Sequence, residues 1–385
     1  MRLVVLGHND WWVWERQGFS TRNAALVREL SGRPQIESVA VIDAPRFGRR
    51  THRPPGRRRE RISVMAKDVV AVRYEAPLPT PARWRFGRRL NERVARRGLV
   101  ERVAEATSGG RGPLIVWVAD PRLVAAALAL PRDILVFDAI DDWREHPWAG
   151  LATVREGYAL AAEHADIMFA VHPSLLEWIA PRRLGEFLPN AVDSRRWDGA
   201  SPDAGLACLP RPLVGYAGMI QRRLDIGLLA GVATRLPQVT FALIGGVTPD
   251  TEEGLRALPR NVRLLGPRRH DALPAMVAAF DACMVPHTRD ALTGSMDPLK
   301  MYEYLAAGRP VVATVTSPNP RVGECVRLAT TPEAFATALL EEIAGDDAGR
   351  REARRRAVAG ETWPARTDRV LAVLEGALTT TAVRP

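Results

Sequence analysis

The sequence is poor in the features that mark exported and membrane-spanning proteins. Its 385 residues include only three cysteines, Cys208, Cys283 and Cys325, whose scatter fits neither a disulfide framework nor a metal-binding spacing. No run of about 18 apolar residues occurs, which argues against a membrane-spanning helix. The amino terminus, MRLVVLGHND, turns polar too early for a signal peptide. We therefore expect a cytoplasmic protein.

The sequence motifs of several common enzyme classes are absent too. There is no GxxxxGK[ST] phosphate loop, no GxGxxG opening a strand–helix unit, no HExxH and no GxSxG elbow. Kinase, zinc hydrolase and serine hydrolase functions are therefore unsupported. An Asp-x-Asp triplet, a common arrangement for holding a divalent metal against a nucleotide diphosphate, is also missing. We expect no metal ion and no other resident cofactor.

Positive charge exceeds negative charge, with 54 Lys and Arg against 44 Asp and Glu and a formal net charge of +10. Many of the arginines fall in two runs. The first run consists of Arg46, Arg49, Arg50, Arg53, Arg57, Arg58, Arg59 and Arg61. The second run consists of Arg83, Arg85, Arg88, Arg89, Arg93, Arg96 and Arg97.

These two arginine runs leave two interpretations open. Proline and glycine in the first run predict a loop, whereas the second run, interleaved with Trp84 and Phe86, is compatible with a helix that has an aromatic and basic surface. Such a surface suits peripheral contact with anionic lipid at the inner membrane face, and a solvated surface is the alternative. No recognised nucleic-acid-binding motif accompanies the charge, so we expect no nucleic-acid partner.

Apolar strand-like runs alternate with helical segments along the whole chain, a pattern typical of parallel sheet covered on both faces. The chain is too long for one ordinary core, and the pattern begins again at residue 212. We predict an α/β fold with two Rossmann-like, doubly wound domains facing across a cleft. The predicted parts are a first domain over 1–190, a linker over 191–211, a second domain over 212–362 and a terminal segment over 363–385.

The segment 294–316, GSMDPLKMYEYLAAGRPVVATVT, is the most informative part of the chain. Asp297 can cap a helix, Pro298 suits the first helical position, and Gly308 followed by Pro310 ends the helix before a buried strand. The amino end of such a helix offers N–H groups and a positive dipole to a phosphate.

Lys300 and Glu303 lie three residues apart, so they share one face near the amino end of that helix. A lysine can bind phosphates, and a carboxylate can accept hydrogen bonds from the paired hydroxyls of a sugar. The pair predicts a nucleotide site that also includes Pro298 and Leu299. An amphipathic helix with a surface Lys–Glu pair is the alternative.

Glycines and arginines follow the predicted strands of the second half. Gly218 closes the run PLVGYAG, and Arg222 and Arg223 follow it four and five residues later, an arrangement suited to a diphosphate. Gly245 ends the run TFALIGG, and His287 ends the strand before the helix. A lone histidine is more often a packed residue than a functional one.

Candidate bases follow the strands of the first half. His8 and Asp10 come directly after the first strand, and Asp141 and Asp142 follow the run 134–140. A carboxylate or imidazole at such a position can act as a general base. We rank Asp142 first and Asp141 second, with His8 or Asp10 behind them. A helix cap is the alternative role for the paired aspartates.

The chain resembles two-domain GT-B glycosyltransferases, nearest to the group that contains family-four transferases and the teichuronic-acid and polysaccharide enzymes. The resemblance covers much of the chain, and DPLKMYEYLAAGRPVVAT is its specific part. The supporting segments occur in the expected order: LVFDAIDDW, LPNAVDSRRW, GYAGMIQRRLD, FALIGG, LPAMVAAFDACMVP and WPARTDRVLAVL.

The resemblance implies roles for individual residues. Glu303 matches the second glutamate of the family's Glu-x7-Glu pattern, which binds the ribose of the sugar nucleotide. The position of the first glutamate is Ser295 in this chain, and we expect it near the donor sugar. The resemblance also implies that Arg222 and Arg223 face the diphosphate, and that the segment after Trp363 is a helix crossing back to the first domain.

The implied function is transfer of a sugar from a nucleoside diphosphate sugar to a hydroxyl or amine of an acceptor. A glycan, a lipid-linked molecule and a small molecule all stay open as acceptors. Two alternatives are another GT-B sugar-nucleotide enzyme, such as a 2-epimerase, and a non-catalytic nucleotide-binding protein. The epimerase would need no acceptor, and the binding protein would leave the donor intact.

Overall fold

The structure, a computed structural model, describes residues 1–7, 9, 11–43, 62–72, 74, 85–146 and 152–382, without the side chains of 12, 16, 85–92, 381 and 382. The predicted bases His8 and Asp10, the first arginine run and Arg83 of the second run lie outside the described residues, as do the side chains of Arg85, Arg88 and Arg89. The chain divides into two compact units. Unit 1 comprises Met1–Phe187 and Thr367–Pro385, and unit 2 comprises Leu188–Arg366.

Unit 1 alternates strands and helices, as the apolar runs predict. Its strands are β1 (Arg2–Leu6), β2 (Ser38–Ile42), β3 (Ile62–Ala66), β4 (Val69–Val72), β5 (Leu114–Val118), β6 (Ile134–Ala139), β7 (Ile167–Ala170) and β8 (Leu184–Phe187). Its helices are α1 (Trp11–Arg16), α2 (Arg22–Ser31), α3 (Arg85–Thr107), α4 (Val124–Ala127), α5 (Ala152–His164) and α6 (Pro173–Ile179).

Unit 2 repeats this alternation. Its strands are β9 (Leu213–Ala217), β10 (Thr240–Ile244), β11 (Val262–Gly266), β12 (Ala282–Val285), β13 (Val311–Ala313) and β14 (Val326–Leu328). Its first helices are α7 (Ser194–Trp197), α8 (Ala204–Ala207), α9 (Ile226–Arg235), α10 (Glu252–Arg256), α11 (Leu273–Ala278) and α12 (Ala291–Gly294). The later helices are α13 (Leu299–Ala306), α14 (Pro320–Gly323), α15 (Pro332–Ala344) and α16 (Ala348–Val358). A last helix, α17 (Trp363–Ala382), begins in unit 2 and continues in unit 1.

Among the residues that the structure describes, each unit contains one sheet, and both sheets are doubly wound. The strand order is β3-β4-β2-β1-β5-β6-β7-β8 in unit 1 and β11-β10-β9-β12-β13-β14 in unit 2. All described pairs are parallel except the hairpin of β3 and β4. The order reverses beside β1 in unit 1 and beside β9 in unit 2, and ligands of such sheets bind at the carboxyl ends of the strands at that point. The predicted α/β, doubly wound fold class is confirmed.

The core of unit 2 follows the side-chain alternation of its central strand. Leu213 and Ala217 of β9 belong to an apolar cluster with Met301 and Leu305 of α13. The intervening Tyr216 belongs to a second cluster, built with α9 and α15. Because both faces of β9 are covered, the strand reads as a continuous apolar run, as is typical of buried parallel sheet.

The segment 191–211, predicted as a linker, lies inside unit 2. It contains α7 and α8, and Trp197 and Leu206 are buried in the apolar cluster that also includes α13. Its prolines and aspartates therefore bound short packed helices instead of a free loop. The terminal helix α17 begins in unit 2, and the chain from Thr367 onward belongs to unit 1. Among the residues that the structure describes, no helix combines the length and apolarity needed to span a bilayer.

Candidate functional site

The predicted donor residues of unit 2 lie where its strand order reverses. Gly218 directly follows β9, Gly245 directly follows β10, and His287 lies two residues beyond β12. Parallel strands bring these positions to one edge of the sheet. The amino end of α13, which carries Lys300, reaches the same edge, as its contact with Gly218 shows.

Two glycines let the backbone close tightly at this edge. Gly218 has φ of 149° and Gly245 has φ of 159°, values that residues with a side chain rarely adopt. A Cβ atom on Gly245 would lie 1.8 Å from the carbonyl oxygen of Gly218, which no side chain can tolerate. A Cβ atom on Gly218 would lie 3.0 Å from Cε of Lys300. The absence of side chains therefore allows Lys300 to approach the turn.

Lys300 is half-buried, and its ammonium group lies against an aromatic ring. Its Nζ is 4.9 Å from the ring centroid of Tyr216, within the range of a cation–π contact. Burial, and to a smaller extent the positive charge of Arg223, lowers the pKa of Lys300 to about 7, although Glu303 acts in the opposite direction. Such a group binds a proton more readily once an anion is beside it.

The two arginines after the glycine turn take different positions. Arg223 is half-buried, and its Nη1 lies 3.4 Å from Sδ of Met296, just before α13. With its amide oxygen as acceptor, Gln221 receives hydrogen bonds from Nε and Nη2 of Arg223 at 2.7 Å. Arg222 is exposed and interacts electrostatically with Asp290. The structure therefore brings Arg223 toward the start of α13 and leaves Arg222 on the surface.

His287 is fully buried beside these cations. Within the described residues, neither ring nitrogen has a hydrogen-bond partner. Burial lowers the pKa of His287 well below its ordinary value, and the charges of Lys300 and Arg223 lower it further. The ring is therefore neutral at physiological pH, and it adds no positive charge to the cluster.

The helix that carries Lys300 starts one residue later than expected. Pro298 is the N-cap of α13, and Leu299 is its first residue. Asp297 does not cap the helix, because its carboxylate is used elsewhere. It accepts hydrogen bonds from the Asn190 backbone N–H at 2.7 Å, the Tyr302 hydroxyl at 2.8 Å and the Ser317 hydroxyl at 2.6 Å.

Glu303 and Ser295 have local partners of their own. Oε1 of Glu303 lies 2.6 Å from Nε2 of His270, and each side chain is only 13% exposed. The hydroxyl of Ser295 is buried and donates to the carbonyl oxygen of Leu292 at 3.0 Å, which closes α12. His270 was not predicted from the sequence. Its one signal there is position, four residues after the end of β11.

The first-ranked base of unit 1, Asp142, is held in an ion pair. Both carboxylate oxygens bind Arg144, Oδ1 at 2.9 Å from Nε and Oδ2 at 2.5 Å from Nη2. Asp142 is 3% exposed, and the Arg144 guanidinium stacks 3.5 Å from the ring centroid of Trp178. Asp142 is therefore committed to an ion pair, which does not suit a general base.

Asp141 lies beside a histidine that the sequence did not single out. Oδ2 of Asp141 is 3.8 Å from Nε2 of His146, and both side chains are 21% exposed. Within the described residues, Oδ1 of Asp141 has no hydrogen-bond partner. Both residues follow β6, close to the reversal of strand order in unit 1. Of the two aspartates, Asp141 is thus the better placed to take a proton.

Most of unit 2 matches a known protein family. Residues 211–344 match the family described as glycosyl transferases group 1. A putative teichuronic acid biosynthesis glycosyltransferase, TuaH of Bacillus subtilis (strain 168), is 32% identical over 108 residues. That alignment spans 26% of this chain and 26% of the relative, so the sequence similarity covers about a quarter of each protein.

Solved structures extend the similarity to both units. Anabaena Alr3699/HepE in complex with UDP is 16% identical with a TM-score of 0.67, and the match covers 98% of this chain and 100% of that one. A UDP-forming trehalose-phosphate synthase from Burkholderia xenovorans, in complex with glucose-6-phosphate, is 13% identical with a TM-score of 0.62. That match covers 97% of this chain and 100% of the synthase. The chain therefore has the two-domain GT-B fold of these structures, and its residues 211–344 match the family described as glycosyl transferases group 1.

Proposed function

We propose that this protein is a glycosyltransferase that moves a sugar from a nucleoside diphosphate sugar to a hydroxyl or amine of an acceptor. The observation that carries the proposal is the arrangement at the edge of the unit 2 sheet. A glycine turn, two cations and a carboxylate meet there, in a segment that matches a family of glycosyl transferases. The name of the Bacillus subtilis relative supports the same activity.

The cations of unit 2 would stabilise the leaving group. Negative charge grows on the diphosphate as its bond to the anomeric carbon breaks, so groups placed to meet that charge lower the barrier. Lys300, Arg223 and Arg222 supply positive charge, and the amino end of α13 supplies N–H groups and a dipole. This set needs no metal ion, and we propose that the reaction is metal-independent.

The donor nucleotide would place its ribose on Glu303, because a carboxylate can accept from both hydroxyls of a vicinal diol. The Anabaena structure contains UDP and the synthase is described as UDP-forming, which makes a uridine nucleotide our proposed donor. A glycan, a lipid-linked molecule and a small molecule all stay open as the acceptor. Cytoplasmic location, the contact of Ser295 with the donor sugar and membrane contact through the arginine runs stay predictions from the sequence.

The test is nucleotide binding and donor consumption by the purified chain and two matched variants. Glu303→Gln removes the proposed ribose contact, and Glu253→Gln makes the same change at an exposed position of unit 2. We expect UDP to raise the melting temperature of the wild type. Loss of a hydrogen bond to a charged group should weaken UDP binding by about 10- to 100-fold in Glu303→Gln, and Glu253→Gln should match the wild type.

Measurements of donor turnover distinguish the proposed transferase from an epimerase and from a non-catalytic binding protein. Consumption of UDP-sugar that requires an acceptor and continues in EDTA supports the proposal. Consumption without any acceptor would favour an epimerase, and binding without consumption would favour a non-catalytic protein. Activity that EDTA abolishes and Mg²⁺ restores would contradict metal independence. Equal affinities of Glu303→Gln and wild type for every nucleoside diphosphate would remove Glu303 from the site.

A further inference from the structure

A chain of three side chains ends at the carboxylate of Glu303. Nη1 of Arg196, on α7, lies 3.4 Å from Nδ1 of His270. Nε2 of the same ring lies 2.6 Å from Oε1 of Glu303. Trp197 is 2% exposed and packs edge-on against the imidazole, with the ring centroids 5.8 Å apart. His270 is therefore held on three sides.

The chemistry of arginine sets the direction of these hydrogen bonds. A guanidinium group only donates, so Nδ1 of His270 must accept from Arg196. The ring proton then sits on Nε2, which donates to Oε1 of Glu303. A hydrogen bond to a carboxylate at 2.6 Å is a short one. Oε2 of Glu303 makes no hydrogen bond to the part of the chain that the structure describes.

The segment before β9 holds this arrangement in place. α7 packs against both α11 and α13. At the other end of the same segment, the side-chain amide of Asn190 donates to the backbone carbonyl oxygen of Asp297 at 2.5 Å, just before α13. His270 opens a turn of 3-10 helix that leads into α11. Residues 190–197 therefore hold the start of α13 directly. Through His270, they also hold Glu303, one turn further along the helix.

We infer that His270 is a positioning residue that holds Glu303 by Oε1 and leaves Oε2 to accept from a ribose diol. The inference rests on the proposed function, and it specifies the nucleotide: a ribonucleotide, selected against its 2′-deoxy form. A carboxylate fixed in one rotamer loses less conformational freedom on binding than a mobile one. A site that keeps a buried acceptor for a hydroxyl also rejects the analogue that lacks it.

The experiment compares the affinities of UDP and 2′-deoxy-UDP for four proteins by calorimetry. These are the wild type, His270→Ala, Arg196→Ala and the control Arg195→Ala, which changes an exposed residue on the same short helix. We expect the wild type to prefer UDP by about tenfold or more, which corresponds to one well-placed hydrogen bond. His270→Ala should lose most of that preference by weakening UDP binding alone. Arg196→Ala should lose part of it, and Arg195→Ala none.

A double variant checks that the effect passes through Glu303. His270→Ala combined with Glu303→Gln should bind UDP no more weakly than Glu303→Gln alone, because the two residues act as one unit. Tighter UDP binding by His270→Ala would mean that the histidine competes with the ribose, and it would overturn the inference. An equal loss of both nucleotides would overturn it as well, since a general distortion does not discriminate the 2′-hydroxyl.

The outcome for the inference is separate from that for the proposed function. If the wild type prefers guanosine or adenosine diphosphate, the ribo and 2′-deoxy forms of that base replace UDP. A preference for thymidine diphosphate, which lacks the 2′-hydroxyl, would overturn the inference. Binding without any preference for the 2′-hydroxyl would overturn the role of His270 and leave the proposed function standing. Failure to bind every nucleoside diphosphate would overturn both.

Discussion

At the residue scale, Lys300 predicts a pH dependence for nucleotide binding. Burial holds its pKa at about 7 in the free protein, against an ordinary value of 10.5. A bound diphosphate favours the charged ammonium and raises that pKa again. Above pH 7 the free lysine is increasingly neutral, so binding must take up a proton. We expect affinity for UDP to fall as pH rises above about 7, by up to tenfold per pH unit.

The measurement is calorimetry of UDP binding between about pH 6 and 9, in buffers of different ionisation enthalpy. Proton uptake should appear above about pH 7 in the wild type and be absent in Lys300→Met, which should bind UDP about 10- to 100-fold more weakly at about pH 6.5. The chain has only one other lysine, the exposed Lys67 of unit 1, so Lys67→Met is the natural control. A pH dependence that persists in Lys300→Met would assign it to another group.

Individual site residues could be predicted from the sequence where the signal is local, and could not where it depends on a distant contact. Lys300 and Glu303 could be selected because a helix start and a three-residue spacing are local properties. The partnership of His270 with Glu303 could not, since it depends on a contact across 33 residues. Asp142 was selected by its position after a strand, but its ion pair with Arg144 depends on side-chain geometry that no spacing reveals.

At the scale of elements, the start of α13 depends on the buried carboxylate of Asp297. It receives hydrogen bonds from Asn190, Tyr302 and Ser317, so its removal leaves several buried donors without an acceptor. We expect Asp297→Ala to lower the free energy of unfolding by about 3 kcal/mol. Tyr302→Phe removes only one of these bonds and should cost about 1 kcal/mol. Urea denaturation at neutral pH measures both.

Equal effects of the two variants would contradict this account. They would show that the carboxylate adds nothing beyond its bond to Tyr302. The prediction also bears on the site, because Asp297 lies just before the helix that carries Lys300. A destabilised but folded Asp297→Ala protein should therefore bind UDP more weakly than Tyr302→Phe does, measured well below the unfolding transition.

Most elements could be predicted because buried parallel strands are read as apolar runs. Three strands, β3, β8 and β14, lie at sheet edges and are harder to predict, because polar residues such as Glu186 and Arg327 interrupt the apolar run. The helix α7 lies in the segment 191–211 that the sequence predicts as a linker. Four residues give no helical period, and only packing against α11 and α13 makes the segment an element.

At the scale of the whole molecule, two units with the same winding carry different candidate groups. Unit 2 has the cations and the carboxylate suited to a nucleotide, and unit 1 has the Asp141–His146 pair. Both sets lie at carboxyl ends of strands near the reversal of strand order, so the alternation of the sequence was enough to predict that these loops follow strand ends. The division of roles between the units predicts that substitutions in unit 1 reduce turnover and spare nucleotide binding.

Asp141→Asn and Asp142→Asn test that division and separate a base from a structural carboxylate. Asp142 is the first-ranked base from the sequence. Its replacement is still expected to reduce turnover, because it holds Arg144 in position, and Arg144 stacks on Trp178. A general base contributes about 100- to 10,000-fold to a rate, so Asp141→Asn should lower kcat by at least about 100-fold with unchanged affinity for UDP.

The pH–rate profile distinguishes the two effects. Removal of a base should abolish the fall of kcat on the acidic side, whereas displacement of Arg144 should lower kcat at every pH and leave the shape of the profile intact. The exposed Asp368→Asn and Glu163→Gln are matched neutralisations elsewhere in unit 1, and both should keep wild-type turnover. Full turnover in Asp141→Asn would exclude this carboxylate as the base, and loss of UDP binding in Asp142→Asn would show that its role extends beyond unit 1.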